Sequence, residues 1–230
     1  MFDERPLKSA MAELGYKRLK RYVYSADWST SDVEHFMYYS LYGTPKDFIT
    51  ADFGVRNKEA EIFAIGAIKR YGGDLYQLLR YDEKSDTFMR FSLGTLASWG
   101  LRSSIKISSM TGDALAKKIQ TDIREKLLPI IGAVRTLRDL LSFLLIDEEP
   151  RPWVRCNGAI RAAEIAHLAV RVGLDPAEIC KLLNPYHNWI KTNLADTSDS
   201  NPESYIKRVV DDAVSKHLHQ DHQANTAPEI

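Results

Sequence analysis

Cysteine is scarce in this 230-residue chain, neither sign of charge is in surplus, and long apolar runs are missing. Each absence excludes something. Two cysteines, Cys156 and Cys180, are too few for a disulfide framework or a four-thiolate zinc site, so both are expected as free, buried thiols. Lys and Arg number 31 against 31 Asp and Glu, and the first 105 residues alone hold 15 basic and 14 acidic side chains. A protein that grips phosphates by counterion release shows a net basic domain or stripe, and neither part of this chain has one. No apolar run approaches the roughly 18 residues that span a bilayer. The opening Met-Phe-Asp-Glu-Arg-Pro also lacks the apolar region of a secretory leader, so a cytoplasmic protein without a membrane partner is expected.

Catalytic signatures are missing too. There is no GxxxxGK[ST], no GxGxxG and no GxSxG. Asp52-Phe53-Gly54 matches the metal-binding tripeptide of kinases, but no Gly-rich loop, strand lysine or HRD loop precedes it, and the match is read as chance. Of the six histidines (His35, His167, His187, His217, His219 and His222), the last three gather near the end without a carboxylate or cysteine pattern that would fix a metal geometry. His167, close to Glu164 and Arg171, reads as a boundary side chain. No catalytic residue, cofactor or metal is therefore expected.

Hydrophobic residues at 44% and charged residues at 27% are ordinary for a folded chain. Leu7, Met11 and Leu14 recur at helical spacing over 3–14, with Asp3 as cap and Gly15 as stop. Segments 16–24, 34–42 and 47–55 are rich in Tyr, Phe, Val and Ile and suggest an antiparallel meander. A helix from Asn57 to Gly72, a helical turn at 75–79, and strands at 87–93 and 104–108 follow. From Thr111 the pattern is helical: Leu115, Ile119, Ile123 and Leu127 repeat every four residues, Pro129 marks a kink or a new start, and Asp147–Pro152 reads as a linker. Further helices are expected at 158–172, 176–183 (Asp175 cap, Pro176, Glu178), 185–194 and 202–218.

The expected fold is thus α+β: a mostly antiparallel sheet of about five strands with helices on one face, followed by an all-helical C-terminal region. The expected division is 1–110, 111–218 and a flexible tail at 219–230.

Two stretches bear on binding. "GYKRLKRYVY", Gly15–Tyr24, packs four cations and three tyrosines into ten residues. Read as one strand, it places Leu19 and Val23 with Lys17 and Arg21 on one face, and Arg18, Lys20, Tyr22 and Tyr24 on the other. Cations on an edge strand discourage pairing with another chain. Arg18, Lys20, Tyr22, Tyr24 and nearby Trp28 also form a candidate protein-binding patch, since Tyr, Trp and Arg dominate interface hot spots. The second stretch is 163–184, in which Ala169, Gly173 and Ile179 have helix-turn-helix spacing. Its second helix would offer Asp175, Glu178 and Lys181, which is not a cationic reading surface.

A helix running into "LGYKR" (Leu14–Arg18), strands ending in "FITADFGV" (Phe48–Val55) and "KLLPIIGAVRTLRDLL" (Lys126–Leu141) resemble a group of uncharacterised bacterial α+β domains that includes immunity proteins of toxin systems. The resemblance spans about residues 7–145; Tyr38-Tyr-Ser-Leu-Tyr42 departs from the Gln-Lys-Ser-like element of that group. It implies a non-catalytic module that binds another protein, such as a toxin it would neutralise. Two alternatives stand beside it: a nucleic-acid-associated regulator using the 163–184 hairpin, and an enzyme of unknown chemistry.

Overall fold

The computed structural model describes residues 3–71, 90–145, 154–155, 158–193 and 201–224. The expected helical turn at 75–79, the linker at 147–152 and Cys156 lie outside them. The chain forms two compact units that interleave in sequence: Met1–Asn57, Asp82–Leu140 and Glu149–Arg155 make the first, and Lys58–Tyr81, Leu141–Glu148 and Cys156–Ile230 the second.

The first unit is α+β. Helix α1 (Arg5–Glu13) buries Leu7, Ala10 and Met11, and Gly15, at φ 77°, turns the chain into strand β1 (Tyr16–Lys20). Strands β2 (Val23–Ala26), β3 (Glu34–Tyr42) and β4 (Phe48–Arg56) complete an antiparallel meander. The β3–β4 register runs unbroken from Glu34↔Arg56 to Tyr42↔Phe48. The far edge of β4 is shared by two short strands lying end to end: β5 (Arg90–Ser92) pairs with Asp52–Gly54, and β6 (Ile105–Lys106) with Phe48–Ile49. Strand β7 (Val154–Arg155) adds to β5, and every pairing among the described residues is antiparallel.

Period-two alternation sends one set of side chains to each face. Tyr16, Tyr24, His35, Met37, Tyr39, Phe53, Val55 and Phe91 are buried on one face. There the Tyr39 hydroxyl donates to Met11 Sδ of α1 (2.9 Å), and Phe53 stacks on Phe91. The same unit contains α3 (Leu93–Leu96), α4 (Gly112–Asp122) and α5 (Leu128–Ile131). Leu115, Ile119, Ile123 and Leu127 are all buried, as their spacing predicts. Between α4 and α5, residues Ile123–Leu127 form a π-turn, the wider hydrogen-bonding pattern that lets the ladder bypass Pro129, which has no N–H to donate. On the opposite face of the sheet Val23, Phe36 and Tyr38 cluster, with the Arg56 guanidinium 4.8 Å from the Phe36 ring and that of Arg90 4.2 Å from Tyr38.

The second unit is helical. It contains α2 (Lys58–Tyr71), the end of α6 (Leu137–Leu144), α7 (Gly158–Arg171), α8 (Pro176–Leu183), α9 (His187–Asn193) and α10 (Pro202–Ala224). Helix α7 is buried on every side from Gly158 to Val170 and packs against α2, α8, α9 and α10. Its alanines at 159, 162, 163, 166 and 169 are what allow four neighbours to approach so closely. Helix α8 begins with the predicted capping box, Asp175 accepting from the Ala177 N–H and Glu178 from the Asp175 N–H. Helix α10 continues to Ala224. No helix among the described residues is long and apolar enough to cross a membrane.

Candidate functional site

The basic stretch at the front of the chain is a hairpin, not one strand. Strand β1 ends at Lys20, Arg21 and Tyr22 form the corner, and β2 returns from Val23. The face assignment drawn from a continuous strand is corrected accordingly. Arg18 and Tyr24 share a face and Val23 lies on the other, in the cluster with Phe36 and Tyr38, as one strand would also have them; what changes is Lys20, which pairs with Val23 across a register break instead of sharing the face of Arg18. The reversal is carried by Tyr22, whose backbone sits at φ 64° in the left-handed region. For a residue with a Cβ that conformation is unfavourable by roughly 1–2 kcal/mol, and hairpin corners normally give it to Gly or Asn.

The five predicted binding residues separate in the fold. Tyr24 is buried, and its hydroxyl donates to Glu4 Oε1 (3.1 Å); burial, with the Glu4 carboxylate beside it, raises that hydroxyl's pKa and keeps it a donor. It offers no docking surface. Arg18 is held by Glu4 Oε2 (3.2 Å). Trp28 is half-buried, its ring edge-on to Tyr16 (4.9 Å between centroids), tilted against His35 (5.1 Å) and beneath the Arg135 guanidinium (5.4 Å). Three partners already hold that ring, so Trp28 serves packing first. Lys20 is exposed at the end of β1, and Tyr22 is half-exposed at the corner.

Tyr22 opens onto a cleft of about 720 Å³. The hairpin corner supplies Arg21 and Tyr22, β3 supplies Tyr39, Ser40 and Leu41, the β3–β4 turn supplies Pro45, Lys46 and Asp47, and Ile107 and Ser108 close the remaining side. The turn is pinned to the 107–109 segment: the Ile107 and Ser108 N–H groups donate to the Asp47 carbonyl (2.6 Å) and Oδ1 (2.8 Å), and the Ser108 hydroxyl donates to Asp47 Oδ2 (2.6 Å). These Ser108 bonds hold the Asp47 carboxyl below its usual pKa. Asp47 therefore stays anionic, and exposed Arg21 and Lys46 outnumber it and give the mouth a cationic bias, while Leu41, Pro45 and Ile107 form apolar walls. In sequence, "GTPKD" is readable only as turn punctuation, so its place opposite the hairpin corner has no one-dimensional signal.

No family model, curated protein or solved structure matches this chain.

A row of buried ionisable groups occupies the second unit. Arg161, Glu164 and His167 lie three residues apart on α7 and are 0%, 2% and 2% exposed. Arg161 donates through Nε to the Leu144 carbonyl (3.1 Å), which also accepts from its NH2 group and from the Tyr186 hydroxyl (3.0 Å). A cation thus caps the C-terminus of α6. Burial, then the Glu61 carboxylate, push the Glu164 pKa well up, against the opposing pull of Arg161. His167 stacks on Phe63 (5.0 Å), and burial lowers its pKa to about 3. The expectation of a boundary histidine is corrected: it is a core side chain. Periodicity reveals the common face of the three residues, but apolar neighbours on other helices decide their burial.

The 163–184 hairpin does turn at Gly173 (φ 86°), with Ala169 and Ile179 inside. A groove of about 400 Å³ between α8 and α10 carries Lys207 against Glu203 and Asp211, a poor match to phosphate. Cys180, half-buried, lines it. Among the described residues no group of three or more His, Cys, Asp or Glu is arranged to hold a metal.

Proposed function

We propose that this protein is a non-catalytic protein-binding module that recognises its partner with the β1–β2 corner and the adjoining cleft of the first unit. One observation carries the reading: Tyr22, a large aromatic residue, occupies a left-handed corner suited to Gly or Asn, with its ring half-exposed at the cleft and the Arg21 guanidinium 4.8 Å away. Residues held in sparsely populated backbone regions concentrate at ligand clamps. Tyr beside Arg over apolar walls also has the composition of an interface hot spot. The resemblance over residues 7–145 makes a toxin the first partner to test, bound so that its active surface is covered.

Tyr22→Gly separates function from folding. It removes the ring and relieves the corner, so thermal stability is expected to hold or rise, while capture of the cognate partner by the purified full chain drops by about tenfold or more. Unchanged capture with Tyr22→Gly and with Arg21→Glu would reject this reading. The second reading, a regulator using the 163–184 hairpin, is favoured by the Gly173 turn geometry alone. It requires duplex DNA binding that weakens steeply with salt, and no binding at low salt removes it.

A further inference from the structure

We infer that β1 is an open docking edge for an extended acidic segment of the partner protein, which adds to the sheet as one more antiparallel or parallel strand. The inference rests on the protein-binding reading above and names the chemistry of the partner. Strand β1 ends the strand order and pairs only with β2 among the described strands. From Lys17 to Arg21 every residue is exposed.

The orientation of its backbone groups follows from the ladder. The Asp27 N–H donates to the Gly15 carbonyl (2.7 Å), and the register continues through Tyr16↔Ala26, Lys17↔Ser25 and Arg18↔Tyr24. Antiparallel pairs alternate between those that exchange hydrogen bonds and those that do not. Lys17 and Ser25 are thus the bonded pair, and Tyr16 and Arg18 turn their N–H and C=O groups away from β2. That is the template on which strand addition works.

Side chains decide the occupant. Residues 16–21 read Tyr-Lys-Arg-Leu-Lys-Arg, four cations without a carboxylate. Glu4 answers Arg18, and Lys17 and Arg21 add positive charge along the same exposed edge. A second copy of the chain is disfavoured on this edge, because cation would face cation across the new ladder. A strand bearing Asp or Glu complements it. Leu19, between Arg18 and Lys20 at the register break, is 49% exposed, one of few large apolar side chains in the described residues left so open. It is the apolar anchor around which the charges align. The segment that fits is extended, with carboxylates flanking an apolar side chain.

The test uses the purified full-length protein and two fluorescent synthetic peptides, one alternating Glu with Val and the other alternating Lys with Val, read by anisotropy. The Glu/Val peptide is expected to bind and the Lys/Val peptide not to bind. Added salt weakens the complex, and hydrogen exchange at the Arg18 amide slows when it forms. Arg18→Pro removes the outward N–H without breaking a bond to β2, as Pro is accepted on an edge strand whose N–H faces solvent, and is expected to weaken binding about tenfold. If Arg18→Pro fails to fold, Lys17→Glu with Lys20→Glu replaces it, with the same expected loss. Equal binding of both peptides, no binding at millimolar peptide, or full binding by a folded Arg18→Pro protein would overturn the inference. Partner capture that depends on Tyr22 but survives Arg18→Pro would defeat this docking mode and leave the protein-binding reading standing.

Discussion

Two histidines show how burial, aided by nearby cations, sets chemistry at the residue scale. His35 donates from Nε2 to the Val134 carbonyl (2.9 Å), which fixes its tautomer, and burial lowers its pKa to about 4. His167 is lowered to about 3, again by burial first. Both are depressed below the unfolded value of about 6.5, so the neutral form is favoured on folding. The stability they contribute is present above pH 6.5 and is lost as pH falls towards 4 and then 3. His167 hydrogen-bonds through neither ring nitrogen, whereas His35 does so through Nε2. His167→Phe is therefore expected to change stability by no more than about 1 kcal/mol at pH 7 and to gain on the order of 3 kcal/mol over the parent at pH 4. Thermal melts at the two pH values check this. Equal losses at both would mean the ring makes a contact that Phe cannot replace.

Elements in this fold are joined by close approaches that only particular residues allow. Gly94, inside α3, faces the Ser103 carbonyl so closely that a Cβ would overlap its oxygen. Backbone cannot swing aside as a flexible side chain can, so Gly94→Ala is expected to cost roughly 3 kcal/mol or more, or to abolish folding, as read from a urea midpoint. Gly15 lies against Asp27 Oδ1, 2.6 Å from where a Cβ would stand, and also requires its positive φ. At the end of α6, Arg161 answers the Leu144 carbonyl, and its charge opposes the upward push on the pKa of buried Glu164. Arg161→Met removes both services and is expected to lose about 3–5 kcal/mol. Adding Glu164→Gln should return part of that loss, since the acid that Arg161 counterbalances is then absent. Non-recovery in the double variant would assign the loss to the carbonyl cap alone.

For the whole molecule, the buried groups impose opposite pH slopes. The pKa of Glu164 is raised by burial and Glu61, so folding favours its protonated form, and the stability it contributes is full below the unfolded value of about 4.3 and declines as pH rises. The two histidines act in the reverse sense below pH 6.5. Between about 4.3 and 6.5 two histidines outweigh one carboxyl, so a stability maximum near pH 6.5 is expected, and Glu164→Gln should flatten the decline above it, measured by denaturant midpoints across pH. An unchanged alkaline limb in that variant would show that Glu164 already ionises freely.

Local physics was legible without the fold. The α+β class, an antiparallel meander at the front of the chain with 16–24 taken as one strand, the boundaries of β3 and α8, and the buried row at 115, 119, 123 and 127 follow from alternation, helical spacing and capping chemistry, which act between near neighbours in the chain. The cationic, aromatic character of 16–24 was equally plain. Tertiary structure alone decided that this segment doubles back at Tyr22, that Tyr24 turns inward to Glu4 while Tyr22 stays at a cleft, and that "GTPKD" stands opposite it. It also decided that Arg161, Glu164 and His167 are sealed in a core. Those outcomes depend on which distant segments meet, and a side chain's burial, partner and charge state are set by what surrounds it in space.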